Sequence, residues 1–172
     1  MGDEGAIAEV RARLDDAVRR LEAAGARDEG LAEFVPRHRR LLVTREATLR
    51  PIGRVWRLGV LLLDRASVLR ATGSIIRATE PGRPAYQSLS AESRRAYRAA
   101  AQRGHFAPGE TVDFDAPVID LQVNALTRST GPLLLREGRA LVRWSAASPA
   151  AVPFASYLSE RVELLAQPPE GA

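Results

Sequence analysis

Imidazole, thiol and amine side chains carry out most covalent catalysis, and this chain of 172 residues holds few of them. His38 and His105 are its only histidines, so any Ser–His–acid arrangement must use one of the two. No Gly-x-Ser-x-Gly segment offers a serine nucleophile. The chain has no cysteine and all 25 basic residues are arginine, which excludes thiolate, Schiff-base and Ser–Lys mechanisms. We therefore predict no catalytic residues.

Carboxylates near His105 form the one region whose composition suits a metal ion. Asp113 and Asp115 lie two apart on a predicted strand, which places their side chains on one face about 6–7 Å apart. Together with the His105 imidazole they would offer oxygen and nitrogen ligands. Their alternation with Val112 and Phe114 favours the simpler interpretation that both aspartates face water. The sequence thus gives His105, Asp113 and Asp115 as a candidate metal site, with no cofactor expected.

A second candidate site lies before the central helix. Arg77 and Arg83 come from the preceding loop, and Gln87, Ser88 and Ser90 approach the start of the helix. Free N–H groups and the positive end of the helix dipole meet at such a point, and arginine forks suit phosphate or carboxylate. These five residues form a candidate anion site, although a capped helix with solvated arginines explains them as well.

Charge and hydropathy limit the partners. The 25 arginines are interspersed with 21 acidic residues, which leaves a net charge of only +4, and aromatic residues make up only 5% of the chain. This composition argues against nucleic acid as a partner, despite basic clusters at 37–40 and 94–98. The apolar run Val60–Leu63 is too short to cross a bilayer, and the acidic N-terminus lacks a signal sequence. We expect a cytoplasmic protein with no membrane partner.

Periodicity predicts the elements that would position these groups. Apolar residues alternate three and four apart over 4–24, which predicts a helix that begins near Asp3 and ends at Gly25: Ile7, Val10, Leu14, Ala17, Leu21 and Ala24. This seam can pack on its own domain or on a second copy. A short helix is expected at 28–34 and a brief strand at 41–43, with Pro51 and Gly53 ending the stretch.

The remaining elements are mainly strands. We predict a hairpin of strands 54–63 and 68–78, turning at 64–67. A helix at 91–103 is expected to stop at a left-handed Gly104. A further strand is predicted at 111–121. Residues 133–135 and 140–144 are predicted to form a hairpin that turns at Glu137–Gly138, and a last helix is predicted at 150–166.

These elements define the fold class. The order α-β-β-α-β-β-β-α predicts a single α+β domain with a mostly antiparallel sheet of about five strands, packed with helices. We divide the chain into an N-terminal amphipathic helix (1–26), the α+β domain (27–166) and a frayed tail (167–172). The order is similar to that of profilin-like and roadblock-type domains.

Several segments carry a resemblance to a group of proteins. The runs Val55–Asp64, Ala71–Gly73, Glu80–Pro84, Gln87–Glu92 and Val142–Ser145 resemble small uncharacterised proteins of high-GC Gram-positive bacteria, some of which bear the name glutaminase. The resemblance covers residues 50–166 and implies amide hydrolysis. The chain departs from known serine and cysteine glutaminases, because it has neither the lysine nor the cysteine that they need.

Two kinds of function follow. The first is a non-catalytic interaction module that self-associates, through the sheet edge or the 4–24 helix. The alternative is a small protein that binds an anionic ligand, or an amide hydrolase, with its site near Arg77, Arg83 and the central helix.

Overall fold

The computed structural model describes residues 2–40, 43–80, 89–145 and 150–168. The chain divides into two compact units. Unit 1 contains residues 1–28, 56–72 and 117–172, and unit 2 contains residues 29–55 and 73–116. Residues 1–26 thus belong to unit 1, whereas the range 27–166 is distributed over both units. Each unit has a hydrophobic core of its own.

The α+β class is confirmed, with more strands than expected. The helices are α1 (Asp3–Ala23), α2 (Leu89–Arg103), α3 (Val123–Thr127) and α4 (Phe154–Ala166). The strands are β1 (Glu29–Val35), β2 (His38–Arg40), β3 (Val43–Arg45), β4 (Thr48–Leu58), β5 (Leu61–Leu63), β6 (Leu69–Ala71), β7 (Ser74–Arg77), β8 (Thr111–Phe114), β9 (Leu133–Arg136), β10 (Arg139–Val142) and β11 (Val152–Pro153).

The largest sheet has the strand order β6-β5-β4-β1-β8-β7. It is mostly antiparallel as predicted, but β1 and β8 run parallel. Strand β4 belongs to both units, since Thr48–Val55 pairs with β1 and Trp56–Leu58 pairs with β5. A three-stranded sheet β11-β10-β9 and a two-stranded ribbon β2-β3 complete the strands of the described chain.

Helix α1 confirms the prediction from periodicity. Its seam residues from Ile7 to Leu21 are buried in the core of unit 1, whereas Ala24 is exposed. Gly25 has a φ of 59° directly after the helix, which explains why the helix ends there. Asp3 is the first helical residue rather than the cap, and its carboxylate accepts a hydrogen bond from Gly138 N–H at 3.1 Å. The seam is therefore used within the unit.

The predicted strand 54–63 is two strands joined by a tight turn. Gly59 has a φ of 67°, and β5 folds back on the end of β4. The Tyr157 hydroxyl donates to Leu58 O and accepts from Val60 N–H, both at 2.9 Å. The alternating apolar pattern continues through Gly59, so periodicity alone gave no sign of this turn. The predicted partner 68–78 is likewise divided, into β6 and β7.

The predicted hairpin near the C-terminus is confirmed. Strands β9 and β10 pair antiparallel, and Glu137 and Gly138 both have positive φ, at 49° and 68°. Two such residues suit the right-handed twist of a two-residue hairpin. Helix α4 begins at Phe154, directly after Pro153 of β11, which pairs with Leu141 of β10. The tail prediction for 169–172 lies outside the described residues.

The short helix predicted at 28–34 is wrong, because this segment is strand β1. It pairs with β4 on one side and β8 on the other, and two sets of ladder bonds override weak helix propensity. A Cβ at Gly30 would lie 2.9 Å from a ring carbon of Phe106, so a close approach requires the glycine. Pro51 does not end a strand but continues β4, beside the register shift between Leu31 and Ala32.

Helix α2 is confirmed, but the reason for its glycine differs. The left-handed residue after the helix is His105, with a φ of 61°, rather than Gly104. A Cβ at Gly104 would lie 2.0 Å from the Leu49 carbonyl oxygen. Gly104 is therefore required by close packing. The predicted strand 111–121 is also shorter than expected, since β8 ends at Phe114.

Candidate functional site

An apolar groove lies within unit 1 and is the candidate site. It has a volume of about 180 Å³ and is formed by the first half of α1, strand β10 and the start of α4. Its apolar lining includes Ala6, Val10, Leu141, Pro153, Phe154 and Ala155. The hydrogen bond between Asp3 and Gly138 ties the beginning of α1 to the hairpin turn at one end of this lining. We call this feature the α1–α4 groove.

Charged side chains border the α1–α4 groove. Glu9 and Arg13 lie one turn apart on α1, and the Arg13 Nε donates to the Glu9 carboxylate at 2.7 Å. Both side chains remain substantially exposed, so water screens the pair and it adds little to stability. Arg139 also lines the groove. The border of the groove thus carries both a negatively charged and a positively charged side chain beside an apolar lining.

A second hollow of about 190 Å³ lies elsewhere in unit 1. Its lining is mostly apolar and includes Val118, Leu126 and Leu133, with Asp120 as the one ionisable side chain among its described residues. Arg143 holds its rim by donating to Ser129 O and Gly131 O, both at 2.9 Å. With one carboxylate in its lining, this hollow offers a partner fewer charged groups than the α1–α4 groove does.

The predicted anion site falls mainly outside the described residues. Arg83, Gln87 and Ser88 lie in the segment that is not described, as does the side chain of Ser90. Arg77 lies at the end of β7, and its Nε donates to Gly109 O at 3.2 Å. The anion site stays a prediction.

The predicted metal residues occupy three different environments. Asp113 is fully buried on β8, which corrects the expectation that both aspartates face water. Asp115 is exposed with a φ of 54°, and His105 is exposed beyond α2. In the part of the chain that the structure describes, no three His, Asp or Glu side chains gather as a metal site would need.

Sequence reasoning missed the α1–α4 groove as a site. Glu9 and Arg13 have the spacing of a helix ion pair, but their neighbours Leu141 and Ala155 are more than 125 residues away. Only tertiary folding brings them together. The other histidine, His38, is exposed on β2, with its Nδ1 3.1 Å from Pro36 O.

The chain matches no protein-family model, no curated protein and no solved structure significantly. The resemblances to high-GC Gram-positive proteins and to profilin-like domains therefore stay predictions. Among the described helices, none has the length and apolar composition of a membrane span.

Proposed function

We propose that this chain is a non-catalytic cytoplasmic protein that self-associates through the α1–α4 groove. The single observation that carries the proposal is an open apolar groove bordered by an acid and a base. Covering apolar surface that is open to water lowers the free energy, so such a surface favours a partner. The partner we infer is a second copy of this chain.

The charge pattern at the border supports a second copy. A two-fold interface brings the same patch together from both copies, so the patch must complement itself. Glu9 and Arg13, which pair within each copy, can exchange partners across the two-fold axis, so that Glu9 of one copy pairs with Arg13 of the other and the reverse pair forms by symmetry. The α1–α4 groove therefore needs no partner of different charge.

Two of the contact surfaces that the sequence suggested, the seam of α1 and the β6 edge of the largest sheet, are already occupied within the chain. The apolar seam of α1 is buried in the core of unit 1. The outer edge of β6 pairs with residues 117–119, since Ala71 N–H donates to Pro117 O and Ile119 N–H donates to Leu69 O. Helix α1 still contributes to the proposed contact through Glu9 and Arg13 at the groove border.

The test is the variant Ala155→Glu, followed by light scattering after size-exclusion chromatography over a range of concentrations. Ala155 is half-buried in the groove lining, and glutamate keeps the helix while adding bulk and charge there. We expect wild type to approach twice the chain mass as concentration rises, and the variant to remain at the single-chain mass. The matched control is Ala8→Glu, on the exposed face of α1, which should behave as wild type.

Two results would count against this proposal. Wild type that stays monomeric at the highest concentration would remove it. Equal loss of association in both variants would show that added negative charge, rather than the groove, is responsible. Anion binding and amide hydrolysis stay alternatives, and ammonia release from glutamine would test the latter directly.

A further inference from the structure

The positive charge of the chain is concentrated in one segment of unit 2. Six of the 25 arginines and one of the 21 acidic residues lie in residues 36–54, so this segment has a formal charge of +5 and the rest of the chain −1. Over the whole chain the arginines are interspersed with acidic residues, but this segment holds the excess. The location of these arginines in the fold changes the expectation against nucleic acid as a partner.

Part of this segment is the exposed ribbon of β2 and β3. The two strands pair antiparallel, with His38 opposite Arg45 and Arg39 opposite Thr44. All four of these residues are exposed, and Val43 has 61% of its surface open to water. The ribbon forms a sheet of its own among the described strands. Its described side chains therefore face solvent rather than a core.

Two arginines of the ribbon have charges that the described chain does not neutralise. Arg37 pairs with Glu46 at 3.2 Å, and Arg50 pairs with Glu33. No such ion pair reaches Arg39 or Arg45 among the described side chains. When these two guanidinium groups bind an anion, no ion pair to a described carboxylate has to be broken.

The two arginines lie on opposite faces of the ribbon. Side chains alternate along a strand, and Arg45 shares its face with the paired His38, so the adjacent Arg39 points to the other face. A flat anionic surface such as a membrane would meet only one face. A groove with phosphates along both walls would meet both faces, because the ribbon would lie between the walls.

We propose that the β2–β3 ribbon binds duplex DNA by entering its major groove. That groove is about 12 Å wide and admits a two-stranded ribbon, whereas the major groove of duplex RNA is too narrow. Arginine forks suit the phosphate oxygens of both walls. Apart from the His38 imidazole, the ribbon has no aromatic ring on which the bases of a single strand would stack. This inference concerns unit 2 alone and does not depend on the proposed self-association.

The experiment is a fluorescence-anisotropy titration of labelled duplex DNA of about 20 base pairs, at about 50 to 200 mM salt. We expect wild type to bind the duplex at low salt. The double variant Arg39→Ala/Arg45→Ala should bind at least about tenfold more weakly. The slope of log affinity against log salt concentration should become shallower by about two, which corresponds to the loss of two phosphate contacts. A thermal melt by circular dichroism checks that the variant is folded. If the double variant is less stable than wild type, the two single variants are measured instead, and each should make the slope of log affinity against log salt shallower by about one.

The matched control is Arg128→Ala/Arg136→Ala. Both arginines are exposed in unit 1, and their loss changes the net charge by the same amount. The control should bind duplex DNA within about twofold of wild type. The proposal is overturned by no binding at low salt, by equal weakening in the control, or by tighter binding to single strands, duplex RNA or phosphatidylglycerol vesicles.

Discussion

The Tyr157 hydroxyl is the side-chain group on which the local backbone depends most clearly. It is bonded to both neighbours of Gly59, donating to Leu58 O and accepting from Val60 N–H. Gly59 itself has a left-handed φ, and a Cβ at this position would lie 2.2 Å from the hydroxyl oxygen. The turn between β4 and β5 therefore requires a glycine and a tyrosine together.

We expect Gly59→Ala to lower the free energy of unfolding by about 3 kcal/mol. About 1–2 kcal/mol comes from a left-handed φ with a Cβ, and a similar amount from the displaced hydroxyl and its lost hydrogen bonds. The matched control is Gly25→Ala, because Gly25 has a φ of 59° but open space around its Cβ position. It should lose only the first contribution. Urea denaturation measures both, and equal losses would contradict the steric explanation.

At the scale of elements, helix α1 shows how far the sequence argument reached. The three-and-four spacing predicted both its span and its buried face, since an amphipathic helix carries its own periodic signal. What the spacing left open was whether that face packs within the chain or against a second copy. The core of unit 1 contains Leu14 and Leu21, so the packing is internal.

Leu14→Ala should therefore lower the free energy of unfolding by about 2–5 kcal/mol. Leu14 is 1% exposed, so the shorter side chain leaves a cavity in the core. The loss should be the same at all protein concentrations. The control is Leu164→Ala, the same change at a leucine that is 49% exposed, which should alter stability much less. A loss that disappears at high concentration would instead indicate a seam between copies.

The elements that the sequence did not predict are those set by distant partners. Strand β1 resembles a short helix in sequence, and only its ladders with β4 and β8 make it a strand. The 54–63 run keeps its alternation through Gly59, so a turn closed by a tyrosine nearly a hundred residues away left no local signal. The α1–α4 groove is of the same kind. Local patterns such as Glu137–Gly138 were predicted correctly because the turn needs only its own residues.

For the whole molecule, the two units differ in charge and in fluorescence. Unit 1 has 13 arginines and 13 acidic residues, so unit 2 carries the entire net charge of +4. Both tryptophans lie in unit 1. Trp56 is buried and its indole N–H donates to Ala26 O at 3.1 Å, whereas Trp144 is 52% exposed. Tryptophan emission therefore reports on unit 1 alone.

We expect urea unfolding followed by tryptophan emission and by far-ultraviolet circular dichroism to give one midpoint. Strand β4 is one continuous strand whose two parts pair in different units, so unfolding either unit frays a strand that the other unit also uses. Coincident transitions are the signature of one cooperative step. The variant Trp144→Phe leaves only the buried reporter Trp56 and should give the same midpoint. Two separated midpoints would show that the units unfold independently.

The pairing of Gly59 with Tyr157 also limits how this sequence can change over generations. Any side chain at position 59 meets the phenol oxygen, so a replacement there becomes tolerable only after Tyr157 has been exchanged for a smaller residue. Loss of Tyr157 first leaves Val60 N–H without its hydroxyl partner. Each single step is therefore disfavoured, and descendants of this chain should keep both residues or replace both.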